Sequence, residues 1–390
     1  MVWRVWQGRR IPLAWLMLTR QPVRLAVALA GIAFAGILMF LQLGFRDGLF
    51  KASVTLHRQF DTDLVLISPR TISSIAMVPF SRRRLVQTMA DPAVRGITPV
   101  NWNLLLWRNP ETRTNRSILI LGFDPSDPLF LDPVLARQAD ALTLRRWLLF
   151  DERSRPEFGP IAERFRAGEV VETEVADKRV RVAGLVSLGP SFGADGNIIT
   201  SRETYLELAP DSSPATIELG LIRLVPGSDP EVVAERLRRL LPNDVSVLTK
   251  AGFEEFEKSY WRNSTAIGFI FSLGTAMGFI VGCVIVYQIL SSDVTDHLPE
   301  YATLMAMGYP LPSLLRVVGR EGLLLAVFGY LAAYGAALGL YTLVRSGTNL
   351  PVYMTLDRAV MVLVMILVMC LASAALAMRR LADADPAEIF

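Results

Sequence analysis

The apolar positions of this chain fall into four long blocks, one near the start and three near the end. Leu25 to Phe45 carries no charge, and Gln42 is its one strongly polar side chain. Comparable runs return only at Ala266 to Leu290, Gly322 to Val344 and Ala359 to Met378. At about 1.5 Å per helical residue, each is long enough to cross a hydrocarbon layer of about 30 Å. Backbone in lipid has to satisfy its own hydrogen bonds, so the pattern predicts four membrane-spanning helices. Between the first and the second lies a stretch of mixed polarity, long enough for a domain with its own core.

Within that stretch the pattern predicts mixed α and β structure. Leu64 to Ser68 and Ser117 to Gly122 are apolar runs of strand length. Glu169 to Val175 and Lys178 to Val186 flank Ala176-Asp177 and predict a hairpin. Gly189 to Gly196, with three glycines and a proline, reads as a loop. Ile217 to Val225 reads as a strand. Asp229-Pro230 follows as an N-cap with proline in the first helical turn. Val232, Val233, Leu237, Leu240 and Leu241 would then form one apolar helix face, and Val245 to Thr249 a returning strand.

The segment Phe253 to Arg262 leads into the second span without a proline and admits two readings. One is a continuous helix entering the bilayer, able to carry force. The other is an interfacial anchor built on Tyr260 and Trp261. Ahead of the first span, Ile11 to Thr19 with Trp15 reads as an amphipathic helix lying on the inner leaflet. The boundaries are an N-terminal amphipathic segment 1–24, spans at 25–45, 264–290, 321–344 and 359–378, and a domain 46–262. A cytoplasmic loop 291–320, a short outer loop 345–358 and a tail 379–390 complete them.

Charge gives the orientation. Arg4, Arg9, Arg10, Arg20 and Arg24 precede the first span with no acidic residue among them, which places the N-terminus in the cytoplasm. Four crossings return the C-terminus there, with Arg379 and Arg380 after the last span, and the domain lies outside. The first span runs into Arg46 and Asp47 without a small-residue cleavage site, so it reads as retained rather than as a signal peptide. The net charge of +3 is too small to suggest a nucleic-acid partner. Cys283 and Cys370 both fall in predicted spans, leaving the domain no disulfide.

Catalytic chemistry has little to rest on. No GxxxxGK[ST] phosphate loop is present, so the chain is not read as an enzyme and is expected to bind no ATP by that route. His57 and His297 fall on opposite sides of the predicted membrane, which excludes a metal site that uses both. Asp61 with Asp63, and Asp124 with Asp127, read as turn aspartates. The spans look almost free of ionisable groups, with Gln42, Tyr287 and Gln288 as the polar exceptions, which argues against an ion-driven transporter.

Two features point to packing and docking. Gly274, Gly278 and Gly282 line one helix face at four-residue spacing, and Gly335 and Gly339 with Ala332 and Ala336 do the same in the third span. Such stripes let helices approach closely, within one subunit or between two copies. The loop DVTDHLPEYATLMAMGYP holds a short helical stretch, Glu300 to Met307, with Gly308 as a C-cap. Asp293, Asp296 and Glu300 make it a poor match for anionic lipid and a better one for a protein partner.

The one-plus-three layout and this loop resemble the permeases of MacB/FtsX-like ABC transporters, the type VII or mechanotransmission class. Glu300, Leu304, Ala306 and Gly308 match that family's Glu-x-x-x-Leu-x-Ala-x-Gly pattern, and Arg379, Arg380, Pro386, Ala387 and Glu388 match its C-terminal ending. Pro299 stands where the family commonly has a basic residue. Within the family, DHLPEYATLMAMGY and DPAEIF most resemble the DevC subfamily, permeases of cyanobacterial exporters linked to glycolipid.

The resemblance implies a homodimeric permease of the bacterial inner membrane. Glu300, Tyr301, Leu304, Ala306 and Gly308 would form the coupling loop to a separate ABC ATPase, which would bind the ATP and Mg. The periplasmic domain would work with an adaptor protein and an outer-membrane channel, exporting glycolipid or another amphiphile. The alternatives it leaves open are an FtsX-like activator of a periplasmic hydrolase and a lipoprotein-releasing permease.

Overall fold

The computed structural model describes residues 22–131, 138–191, 193–299, 303, 307, 311–348 and 350–382, with backbone alone at 311–315, 348 and 378–382. In chain order the helices are α1 (Pro22–Ser53), α2 (Thr55–Gln59), α3 (Arg82–Gln87), α4 (Ile161–Arg166), α5 (Arg202–Leu208), α6 (Pro230–Leu240), α7 (Lys250–Ser259), α8 (Ala266–Asp296), α9 (Leu311–Thr348) and α10 (Leu356–Ala382). The strands are β1 (Leu64–Ile67), β2 (Phe80–Ser81), β3 (Val94–Arg108), β4 (Asn115–Phe123), β5 (Trp147–Asp151), β6 (Glu172–Val175), β7 (Lys178–Val186), β8 (Asn197–Ser201), β9 (Thr216–Ile217), β10 (Leu219–Leu224) and β11 (Ser246–Thr249).

These form two compact units, residues 1–48 with 266–390 and residues 49–265. The first unit holds α8, α9, α10 and most of α1, all long and apolar enough to span a membrane. The chain is a multi-pass membrane protein with four such helices and a large mixed α/β domain between the first and the second.

In the membrane unit both faces of the helices are apolar, and helical spacing marks which side is buried. Ala28, Ile32, Ala35, Met39 and Leu43 form the buried stripe of α1 at three- and four-residue steps. Gly278, Gly282, Val286, Leu290 and Val294 do so in α8, while Phe269, Ile270, Leu273, Met277, Ile280 and Val284 of the same helix are exposed. Lipid solvates large apolar side chains well, so they gain little by turning inward, and small residues let the helices close up.

The domain is built on a nine-stranded mixed sheet in the order β11-β1-β10-β3-β4-β8-β5-β7-β6. The fifteen-residue β3 serves two subassemblies. Its first half pairs with β10, and its second half pairs with β4. Trp107 and Arg108 at its end also pair with Val175 and Glu174 of β6, so β3-β4-β8-β5-β7-β6 closes on itself. Trp107 plugs that ring, fully buried, with its Nε1 donating to the Phe158 carbonyl at 3.1 Å. On the other side, β1 sits between β10 and β11, antiparallel to both, and α6 covers them through Val233, Ala234 and Leu237.

Several local expectations hold and several do not. The hairpin β6–β7 turns at Ala176 and Asp177, both left-handed at φ 47° and 59°, as a two-residue primed turn requires. Asp229 caps α6 by accepting from the Glu231 N–H at 2.9 Å, with Pro230 in the first turn. The apolar face of α6 is rotated from the one the sequence predicts, because Val232 and Leu240 are half exposed and Ala234 is buried. The single strand expected from Ile217 to Val225 is divided at Glu218, whose carboxylate turns inward to the Trp102 N–H at 3.1 Å and the Asn101 amide at 3.0 Å.

No continuous helix runs from the domain into the second span. After α7 the chain makes a π-helical turn, Tyr260–Ser264, and Thr265 is extended at φ −122° and ψ 155° before α8 begins. The reading of Trp261 as an interfacial anchor is corrected as well. Its side chain is buried in the domain, where it donates to Glu257. Ile11 to Thr19, Arg20, Pro386, Ala387 and Glu388 lie outside the described residues.

Candidate functional site

The expected coupling residues Glu300, Tyr301, Leu304, Ala306 and Gly308 lie outside the described residues. Of that loop, Thr303 and Met307 are described. Thr303 Oγ1 donates to the Pro299 carbonyl at 2.8 Å, and the Met307 N–H to the Thr303 carbonyl at 3.0 Å, both at helical spacing. Met307 is 64% exposed, an apolar side chain offered to solvent.

The glycine stripe of α8 faces α1 and α10. A methyl group at Gly278 would rest 3.5 Å from Leu38 and Met39, at Gly274 it would strike the Gln42 amide, and at Gly282 it would collide with Met369 and Ala35. Gly335 and Gly339 of α9 have open space around them. Two stripes that look alike in sequence therefore differ in occupancy, one filled within the subunit and one bare.

Polar groups gather at both ends of the membrane unit, at or beyond the margins of the apolar runs read as spans. The helices extend beyond the apolar runs and carry the flanking charges inward. At one end Arg358 of α10, 4% exposed, donates to Asp47 of α1 at 2.8 Å and to the Tyr353 carbonyl at 2.8 Å. Its guanidinium also lies over the Tyr341 ring of α9, and the Tyr341 hydroxyl donates to the Phe40 carbonyl of α1. This joint ties α1, α9 and α10 with matched charge.

At the opposite end Arg24 of α1 donates to Asp296 of α8 at 2.8 Å and lies 3.6 Å from Asp293. Its other nitrogen reaches the Ile289 carbonyl at 3.3 Å. His297 Nδ1 sits 3.7 Å from the Asp293 carboxylate. Glu321 of α9, fully buried, is acted on by Asp293 and Arg24. Sequence reasoning missed Glu321 because it stands at the edge of the apolar run, next to Arg320.

A third polar group lies within the domain, on the segments that follow α1 and precede α8 in sequence. Ser74 donates its hydroxyl proton to Glu257 at 2.6 Å, and its own N–H reaches the same oxygen at 2.8 Å. Trp261 Nε1 donates to the other Glu257 oxygen at 2.8 Å. With its single proton given away, Ser74 accepts from His57 Nε2 at 2.8 Å. His57 stacks on Phe253 at 4.5 Å, and burial, aided by the Lys258 charge, pushes its pKa down to about 3. It is a neutral joint between α2 and α7. Asp124 fills a turn role, accepting from the Ser126 N–H, whereas Asp63 reaches across the sheet to accept from the Leu224 N–H at the end of β10. No cluster of metal-ligating side chains occurs among the described residues.

Residues 267–386, covering α8 to α10, match the family described as FtsX-like permease C-terminal. No curated protein matches the chain in sequence. Among solved structures, the periplasmic region of MacB from Actinobacillus actinomycetemcomitans is 11% identical over 53% of this chain and 95% of its own, at a TM-score of 0.34. The extracellular domain of the noncanonic ABC-type transporter YknZ from Gram-positive bacteria is 12% identical over 48% and 100%, at 0.31.

Proposed function

We propose that this chain is the permease subunit of a MacB/FtsX-like ABC exporter of the mechanotransmission class. The observation that carries the reading is the FtsX-like permease match over α8 to α10 in a chain whose α/β domain stands between α1 and α8. ATP is bound and hydrolysed by a separate ATPase, which seats the loop Glu300 to Gly308 in a groove. The chain itself holds no cofactor. Two copies assemble in the bacterial inner membrane with both termini in the cytoplasm, and the domain engages a periplasmic adaptor leading to an outer-membrane channel.

The mechanism is one of levers rather than a polar channel. Closure of the ATPase dimer moves the loop, and with it α8 and α9. The polar joints at the two ends of the membrane unit keep the four helices moving as a body, since each joint spans at least three of them. The His57–Ser74–Glu257–Trp261 chain ties together the two segments by which the domain continues from α1 and into α8, so a displacement of either reaches the sheet. The cargo proposed is an amphiphile such as a glycolipid, which would be taken up outside the permease; this rests on the DevC-like wording of the loop and tail.

The test is co-purification with the cognate ABC ATPase. Glu300→Lys and Gly308→Trp should each weaken the complex while leaving the permease folded. Unchanged binding in both variants would overturn the coupling assignment. A reporter fused at Asp195 should register outside the cytoplasm, and a cytoplasmic signal would overturn the topology.

A further inference from the structure

We propose that Glu321 and Asp293 form a proton-binding site where α9 meets α8, with one proton shared between the two carboxyl groups.

Glu321 is 0% exposed, and neither of its oxygens meets a hydrogen-bond donor among the described residues. An ionised carboxylate left in that state is far costlier than a protonated one. The charged groups that act on it come from two helices, Asp293 of α8 and Arg24 of α1. Arg24 is already committed to Asp296, Asp293 and the Ile289 carbonyl. His297 is held on Asp293, 3.0 Å from its carbonyl and 3.7 Å from its carboxylate. From α10 the groups beside the neighbouring Gly322 are Ala374 and Cys370, which bring no charge.

Among the described residues named here, three carboxyl groups therefore stand against the Arg24 guanidinium. Two carboxyl groups side by side out of water do not both ionise, and a proton between them converts repulsion into an O–H···O bond. A divalent metal is a poor alternative, because the described residues here offer no set of three ligands. The proton is the ligand the chemistry fits.

The site has a mechanical consequence. Asp293 and Glu321 stand on the two helices that bracket residues 297–310. With the proton in place, those helices are fastened; without it, two like charges push them apart. Proton occupancy thus sets the spacing of the helices that carry the loop. This inference does not depend on what docks there.

Infrared difference spectroscopy of the full-length protein in lipid nanodiscs tests it, comparing wild type with Glu321→Gln. Gln keeps the volume and can donate to Asp293, so the variant is expected to fold. A protonated-carboxyl carbonyl band should be present in wild type at neutral pH and absent from the variant. In Asp293→Asn, the pH at which the Glu321 band is half lost should fall by at least one unit, about a tenfold loss of proton affinity. No band lost in Glu321→Gln, or a midpoint unmoved in Asp293→Asn, would overturn the proposal. So would a band abolished by exchanging choline chloride for sodium or potassium chloride, since a metal ion would then be the occupant. Should Glu321→Gln fail to fold, the wild-type band and its shift in Asp293→Asn still decide the matter.

Discussion

Asp151 and Glu321 are both removed from solvent, one in the domain and the other in the membrane unit, and their surroundings are opposite. Asp151 accepts from the N–H groups of Leu188, Gly189 and Arg153 at 2.8–3.1 Å and from the Asn197 amide at 2.7 Å. Glu257 and Glu218 in the same domain are likewise met by two or more donors each. Glu321 has none among the described residues. Loops and strand ends supply free backbone N–H groups to a buried acid, whereas the middle of a helix has already spent them on its own ladder. A carboxyl on a membrane helix must find a side-chain partner or keep its proton.

The sharpest way to break this comparison is to remove Asp151. Asp151→Ala takes the acceptor from three backbone N–H groups and one of two acceptors from the Asn197 amide, and should cost about 3–5 kcal/mol, read as early loss of the domain in thermal unfolding of the intact chain. An equal effect from Glu321→Ala would mean that the two acids are held alike. Next, Asp47→Ala strands the buried Arg358 guanidinium and should cost about 3 kcal/mol, while Asp47→Leu with Arg358→Met should recover most of it. Melting in detergent distinguishes the two.

Packing offers a smaller contrast within the membrane unit. Gly282→Leu overpacks the contact with Ala35 and Met369 and should cost about 1–3 kcal/mol, whereas Gly335→Leu should leave the isolated subunit's melting unchanged.

The pH dependence of the domain rests on His57. Its folded pKa, about 3, lies below the unfolded value of 6.5, so the unfolded chain binds the proton first as pH falls. The full stability is present above pH 6.5 and is lost toward pH 3, by about 1.4 kcal/mol per pH unit. Hydrogen exchange of α2 and α7 should report that slope, and His57→Gln should flatten it. The smallest effect expected is that of Glu321→Gln at neutral pH, under about 1 kcal/mol, because Gln keeps the volume of a side chain whose oxygens meet no donor among the described residues.

Much of the framework was legible beforehand. The four apolar blocks, the Ala176-Asp177 hairpin and the Asp229-Pro230 start of α6 all follow from local rules of periodicity and capping. Strand β3 was not legible, because Gly96, Pro99, Asn101 and Asn103 interrupt its apolar pattern. Its Pro99 stands opposite Gly220 in the β10 pairing, and a proline there hides the strand from a pattern-based reading. The polar joints were hidden for a different reason. Arg24, Asp47, Glu321 and Arg358 all sit at the margins of apolar runs, where a charge reads as a flank.

The sequence by itself determined how many helices cross, where the domain is inserted and which short segment stands between α8 and α9, since hydropathy and helix-breaking residues act over a few turns of chain. Only the tertiary structure decided which charges are paired and which glycine stripe is filled. It also decided that Glu321 stands without a donor among the described residues. Those outcomes depend on residues far apart in sequence arriving at one place. No local pattern records whether a carboxyl will meet a guanidinium, a ladder of N–H groups, or another acid.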